Sequence, residues 1–512
     1  MLQTNGMNFS HSLITALIAF SLLLTPSLTL QAQSALPNLG DDTSMTLGAE
    51  RRLGDQIGRE IYRDAEYVSD PVLDAYIGGI WQPLLAEAKR NGAMPFEMDT
   101  QFAWHAFLVR DKSVNAFALP GGYFGVHLGL IALSETPDAL ASVLAHETTH
   151  VTQRHISRGM SKESASTPWL VASMLVGLLA MRTNPQMASA AMATGQAASI
   201  QGQLNFSRDF EREADRIGFT LMQPAGYSPE GFVDMFEMLG KASRLSDSGN
   251  FPYLRTHPLT TERVADMRAR VGEFARSKAP SKATNIDDAN YLLLHRLMAA
   301  RAGVMADLSV DAQKFYLQQG DAALPTDAKY AATQYAAALA AWQTKDVARA
   351  RRFYERLRAS TSIKTPPAAL QAVRWLGAEL QVPTALDVTS QNRVEMLYAV
   401  NQTMLTSGVS AAELGNVTSR LQDWLSIHPQ DADAWSWLSR VQLAQNKPVR
   451  SAIARAEAMR AQLDDSAALA QYQAAQSLIR RGMQVDSIDA AIVDSKVREL
   501  QTLTRESEKK KR

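Results

Sequence analysis

The 512-residue chain has no cysteine. That absence excludes disulfides, thiol catalysis, thiolate zinc fingers and a lipid-modified cysteine at a mature N-terminus. Net charge is absent too, with 52 basic residues against 52 acidic ones. Nothing in that balance points to nucleic acid as the principal partner. Long hydrophobic runs are also missing. The apolar run Leu13–Leu24, "LITALIAFSLLL", falls short of the roughly 20 residues that a spanning helix needs. Thr25-Pro26 ends it and "QAQS" follows, so residues 1–33 are expected to be a cleaved export signal, cut near Ala32. No lysine or arginine precedes Arg51, so the usual basic start of such a signal is lacking.

What is present begins with "LAHETTH", residues 144–150. On a helix, His146 and His150 project from one face a turn apart, as two imidazoles must to grip one metal ion. Glu147 lies about a quarter turn away, near the metal without being forced to bind it. This is the H-E-x-x-H pattern of zinc metallopeptidases. A helix start stands upstream in Thr136-Pro137-Asp138: a capping threonine, proline at the first position and an acid in the first turn. With Leu140, Val143, Leu144 and Val151 at helical spacing, a helix is predicted from Pro137 to about Arg158.

The surroundings indicate more than one domain. Amphipathic helices are predicted over 43–65 and, behind Ser69-Asp70-Pro71, up to Lys89. "FAWHAFLVR" (102–110), "VNAFAL" (114–119) and "YFGVH" (123–127) are short aromatic and β-branched segments and read as a small meander. Further helices are expected at 208–223, 228–243 and 260–276. The polar "SKAPSKATNIDD" suggests a linker over 277–289. Beyond it, "YAAALAAWQTKDVARARRFYERL" (335–357) and "DAWSWLSRVQLAQNKPVRSAIARAEAM" (433–459) each read as helix, turn, helix. Small Ala338 and Ala350, with Tyr354 a turn on, suggest degenerate tetratricopeptide repeats; an ordinary α-helical domain is the alternative. The expected fold class is thus an α+β zincin-like peptidase domain over 34–276, then an all-α repeat domain over 290–505. Residues 506–512 read as a charged tail.

Two histidines leave a catalytic zinc short of its usual three protein ligands. "FEREADRIG" (210–218) offers candidates, since Glu211 and Asp215 share a helix face while Glu213 points elsewhere. Glu211 as ligand and Asp215 orienting a histidine would complete a two-histidine, one-glutamate site. From that segment alone, an exposed helix of alternating charge, including Arg212 and Arg216, is the first reading.

At these residues the chain resembles the HtpX-like zinc metallopeptidases, most closely the periplasmic BepA type, in which a peptidase domain precedes tetratricopeptide repeats. The resemblance rests on "NAFALPGG" (115–122), "HETTHVTQRH" (146–155), "EREADRIG" (211–218) and "THPLTTERVADMR" (256–268), which stand in the family's order. It covers about residues 45–275. It implies one zinc ion per chain on His146, His150 and Glu211, with Glu147 as general base. Zinc would polarise water and the scissile carbonyl while Glu147 moves the proton to the leaving amine. Also implied are a periplasmic location, unfolded or misassembled envelope proteins as substrates, and docking on the outer-membrane protein assembly machinery.

His257 reads either as an extra ligand or transition-state stabiliser, or as a helix-start packing residue. His155 follows His146 by nine residues and should face the opposite side of a continuous helix, toward solvent or a carboxylate. His105, His127, His295 and His428 lack metal-like spacing and read as structural. "NAFALPGGYFGVH" is expected beside the cleft, where an extended substrate could add as a strand. "PWLVASMLVGLLAM" (168–181) is too short to span a membrane and reads as a packed helix or as a mobile cover meeting client or membrane surfaces. The expected activity is zinc endopeptidase. A chaperone or binding scaffold with a covered peptidase site is the alternative.

Overall fold

A computed structural model of the chain describes residues 45–161, 208–244, 252–277, 288–327, 329–361 and 365–511. The export signal expected over 1–33, the apolar segment 168–181 and the linker core 278–287 lie outside the described residues.

The chain opens with α1 (Leu47–Arg63), capped by the Thr46 side chain on the Ala49 amide. β1 (Tyr67–Val68) follows, then α2 (Pro71–Arg90), whose start is fixed by Asp70 accepting from the Leu73 amide and by proline in the first turn. α3 (Phe96–Gln101), β2 (His105–Val109), β3 (Ala116–Leu119), a 3₁₀ turn at Pro120–Gly122 and β4 (Tyr123–His127) come next. The four strands are ordered β1-β2-β4-β3.

The sheet is therefore mixed and not the expected meander. β2 and β4 run parallel with His105 opposite Tyr123, whereas β3 lies antiparallel on the outer side of β4. The chain must fold back sharply to insert β4 between the two earlier strands, and Pro120-Gly121-Gly122 does this with φ of 73° and 82° at the glycines. A Cβ on Gly121 would stand 2.8 Å from the Arg51 Cα, so the turn also packs flat on α1. Alternation along the strands divides the core. Phe107 and Tyr123 stack 5.5 Å apart beneath Ile57 of α1, while Leu108 and Phe124 face Trp81 and Leu84 of α2.

After α4 (Leu128–Leu133) comes the motif helix α5 (Pro137–Thr152), which begins where predicted, with Thr136 accepting from the Ala139 amide. It ends six residues earlier than predicted. Arg154 takes a left-handed φ of 54°, its guanidinium held 3.0 Å from Glu50 of α1, and a separate helix α6 (His155–Ser161) sets off from the kink. No proline or glycine marks the break, so tertiary pairing overrides the local helical pattern. α7 (Arg208–Met222), α8 (Gly231–Arg244), α9 (Pro252–Thr256) and α10 (Thr261–Ser277) complete this half.

The remainder is helical: α11 (Asp288–Ala306), α12 (Val310–Ala322), α13 (Tyr330–Gln343), α14 (Val347–Ser360), α15 (Pro367–Glu379), α16 (Arg393–Leu405), α17 (Ala411–Ile427), α18 (Ala432–Ala444), α19 (Pro448–Ala461), α20 (Asp465–Arg480) and α21 (Ser487–Lys511). The last helix runs through most of the stretch expected to be a charged tail. Lys345, Gln381, Asn446 and Leu463 each take a left-handed φ just beyond a helix end, closing α13, α15, α18 and α19 alike. Packing relies on alanine: Ala336–Ala341 of α13 and Ala350 of α14 are all buried.

The described residues form one body, and arginines tie its halves together. Arg301 of α11 is 2% exposed and reaches Asp70 at 2.6 Å and Glu379 at 2.8 Å. Arg393 of α16 binds Asp431 at 2.7 Å and Asp433 at 2.8 Å, and Asp433 accepts from Ser69. Arg63 of α1 meets Asp464 at 2.8 Å.

Candidate metal centre

Helix α5 carries the candidate residues through the interior: every residue from Ala139 to Thr152 is buried. Gly218 of α7 makes close approach possible, because a Cβ there would sit 3.2 Å from the backbone of Ala145 and His146. The two helices therefore meet at the histidine pair. Trp81 of α2 donates to the Thr148 hydroxyl at 2.9 Å, fixing the rotation of α5 from the other side.

His146 and His150 bring their Nε2 atoms to 3.0 Å of each other. Glu211 reaches both, Oε2 lying 3.5 Å from His146 Nε2 and Oε1 3.5 Å from His150 Nε2. His257, at the end of α9, enters the same space with Nδ1 2.9 Å from Glu211 Oε1, 3.3 Å from His146 Nε2, and with Nε2 3.5 Å from Glu147 Oε1. One ligand atom from each of His146, His150, Glu211 and His257 lies within 4.8 Å of all the others, and all four residues are buried.

Behind these atoms stand orienting groups. Asp215 Oδ1 lies 2.9 Å from His146 Nδ1, and Arg263 of α10 grips Asp215 through Nε at 2.7 Å and Nη2 at 2.8 Å. Nη1 of Arg263 lies 2.8 Å from Glu211 Oε2, outside hydrogen-bond geometry. On the far side, His155 Nδ1 lies 2.8 Å from His150 Nδ1, and its Nε2 lies 3.1 Å from Glu213 Oε2. Glu147 Oε2 accepts from the Ala118 amide of β3 at 3.0 Å. That bond ties the acid to the sheet-edge strand.

A divalent cation fits this donor set. With His146 Nδ1–H donating to the Asp215 carboxylate, its Nε2 lone pair faces inward toward the His150 nitrogen and the Glu211 carboxylate. Glu211 Oε2 is buried without a hydrogen bond. Arg263 supplies one positive charge at the outer side, and so many convergent acceptors in a buried space favour a further one among them. Without a metal ion, a proton takes the place of the cation. Burial drives the His146 imidazolium down, yet hydrogen bonds to Asp215 and Glu211 outweigh it and lift its pKa to about 9. Burial, with the His146 charge beside it, pushes His150 well below the usual histidine range. Glu211 falls well below the carboxylate range, since the His257 charge and the histidine hydrogen bonds overcome its burial. Burial raises Glu147, opposed by His257 and His146. A buried carboxylate with a raised pKa is suited to hold and release a proton.

All six sequence-derived candidates, His146, Glu147, His150, Glu211, Asp215 and His257, are thus brought together. His257 contacts the cluster directly. His155 is displaced from its predicted place. The break at Arg154 turns it back toward His150, although the carboxylate partner foreseen for it is present as Glu213. Arg263 carries no signal in "THPLTTERVADMR", where five residues separate it from His257 and no local spacing betrays its partner on α7. His105, His127 and His295 pair with Tyr62, Ser113 and Tyr76, and His428 packs on Trp424, all apart from the cluster.

Residues 82–271 match peptidase family M48. The chain carries a peptidase domain of that family. Across 478 residues, 91% of each chain, it is 29% identical to the Beta-barrel assembly-enhancing protease of Escherichia coli (strain K12). A Vibrio cholerae relative is 34% identical over 278 residues, 54% of each chain, so the matched stretch spans about half its length. The Mitochondrial metalloendopeptidase OMA1 of Arabidopsis thaliana is 31% identical over 203 residues, 40% of this chain and 36% of the relative. With the buried histidine and glutamate cluster, the M48 match makes the matched region a metallopeptidase domain.

Proposed function

We propose that the chain is an exported zinc-dependent endopeptidase that hydrolyses peptide bonds of misfolded or stalled envelope proteins. The observation that carries this reading is the convergence of His146, His150 and Glu211 from two helices, with Glu147 beside them. A zinc ion held there supplies Lewis acidity and lowers the pKa of bound water toward neutrality. His146 and His150 would hold it through Nε2, and Asp215 keeps His146 in the tautomer that leaves Nε2 free to bind. Glu147, anchored through Oε2 to Ala118, keeps Oε1 to accept a proton and pass it to the leaving amine. β3 is the sheet-edge strand beside Glu147, and an extended substrate backbone could lie along it.

The names of the Escherichia coli and Yersinia pestis relatives, Beta-barrel assembly-enhancing protease, support work in outer-membrane protein assembly, with the helical part docking on that machinery. Boundaries at 34–276 for the peptidase and 290–505 for the helical domain suit this division. A tetratricopeptide character for the latter is supported by the paired helices α13–α14 and α18–α19, whose starts at 330 and 432 lie about three 34-residue periods apart. An export signal and a periplasmic location complete the reading, with at most peripheral membrane contact. No helix among the described residues is long and apolar enough to cross a membrane.

A second reading, a chaperone or scaffold whose peptidase centre is covered, is favoured by His257, which stands among Glu147, Glu211 and His146 as a fourth candidate ligand. In that position it either completes the coordination or stabilises charge on the reacting carbonyl. Casein digestion by the purified protein, with and without a chelator and beside Glu147→Gln, separates the two. Digestion that ceases with chelator and in the variant supports the enzyme. Undigested casein with metal bound supports the scaffold.

A further inference from the structure

The two candidate histidine ligands are oriented by unlike devices. His146 meets an arginine-held carboxylate directly. His150 meets another imidazole, that of His155, whose far nitrogen faces Glu213, itself 3.1 Å from Arg158 Nη1. Chemistry fixes the direction of each bond. A carboxylate oxygen beside the Arg158 guanidinium only accepts, so His155 Nε2, 3.1 Å from Glu213 Oε2, carries the proton. A neutral His155 then presents a lone pair at Nδ1, and His150 Nδ1–H donates into it. That leaves His150 Nε2 unprotonated, aimed at Glu211 and His146.

The ring that makes this relay is built in. His155 is fully buried and lies flat on Phe210 of α7, centroids 4.5 Å apart and planes at 8°, while the Arg158 guanidinium lies over the Phe210 ring at 4.7 Å. The relay exists only because α5 breaks. On an unbroken helix His155 would point away from His150, and it is Arg154, at φ 54° and bound to Glu50, that turns it inward. The cost of a left-handed arginine makes sense if the returned histidine has work at the centre.

We propose that His155 and Glu213 are positioning residues for His150, a two-step relay that sets its tautomer and ring orientation for metal binding. The inference rests on the metal-centre reading above and extends it to the far side of α5. It accounts for Glu213, which sequence spacing turned away from the metal, and for His155, which that spacing left without a role.

The test is zinc affinity of the full chain by competition with a chromophoric chelator, with metal-free thermal unfolding recorded for every variant. His155→Phe keeps a flat ring on Phe210 but removes the acceptor, and it should weaken zinc binding about 10- to 100-fold. His155→Asn places an acceptor oxygen near the lost Nδ1 and should hold the loss under about tenfold. Glu213→Gln should fall between wild type and His155→Phe. Wild-type affinity in His155→Phe overturns the relay, as does an Asn variant as weak as Phe, which would mark a packing role. Wild-type protein that binds no zinc overturns the underlying reading instead. Where a variant fails to fold, ¹⁵N histidine spectra of the wild type decide: Nδ1–H on His150 with Nε2–H on His155 supports the relay, and any other pair of tautomers contradicts it.

Discussion

The half around the sheet and the helical half bury different things. Around α5 the interior holds His146, Glu147, His150, His155, Glu211, Asp215, His257 and Arg263, an unusual density of charge for so small a volume. From α11 to α19 the interior is largely alanine, leucine and valine, and charge is confined to a few arginine clamps such as Arg301 and Arg393. The difference is instructive: the first half holds its groups in a strained electrostatic arrangement that suits a cation, whereas the second depends on how closely helices approach.

Breaking the first half should abolish chemistry without unfolding the chain. Glu147→Gln removes the proton acceptor, and casein hydrolysis should fall by about 10²- to 10⁴-fold while metal content stays at the wild-type level. Breaking the second should unfold without touching chemistry. Arg301→Met leaves Asp70 buried and uncompensated at the junction of the halves, costing about 3–5 kcal/mol in chemical denaturation. Gly320→Ala should cost about 1–3 kcal/mol, because a Cβ on α12 would meet the Ala337 Cβ of α13 at 2.3 Å.

The Arg393 clamp gives the comparison a pH dependence. Burial opposes ionisation of Asp431, but the hydrogen bond and charge of Arg393 prevail and hold it below its ordinary value of 3.8. A depressed carboxyl stabilises the fold above its unfolded value and loses that contribution as pH falls through the folded one. Acid denaturation monitored below about pH 4 should therefore be steeper in wild type than in Asp431→Asn. The smallest effect belongs to the exposed pair of Glu355 and Arg358 on α14, where Glu355→Ala should shift stability by no more than about 0.5 kcal/mol.

Most of the helices and the core of the candidate site were legible because they are written in local spacing. His146 with His150 and Glu211 with Asp215 each lie one turn apart, and Thr136-Pro137 marks a helix start that the structure keeps. What was not legible is non-local. The β2–β4 pairing depends on where β3 goes, which no alternation pattern records, so a meander was predicted in place of the mixed sheet. The break at Arg154 depends on Glu50, about a hundred residues upstream. Arg263 acts on Asp215 across helices, and its own segment shows only an ordinary charged helix.

The account stands on His146, His150 and Glu211 sharing one ion. Zinc analysis of purified wild-type protein beside Glu211→Ala, with folding of both checked by circular dichroism, tests it most directly. One zinc per wild-type chain and its loss from the folded variant are the predicted results. A folded Glu211→Ala variant that keeps a full zinc equivalent at wild-type affinity would contradict it.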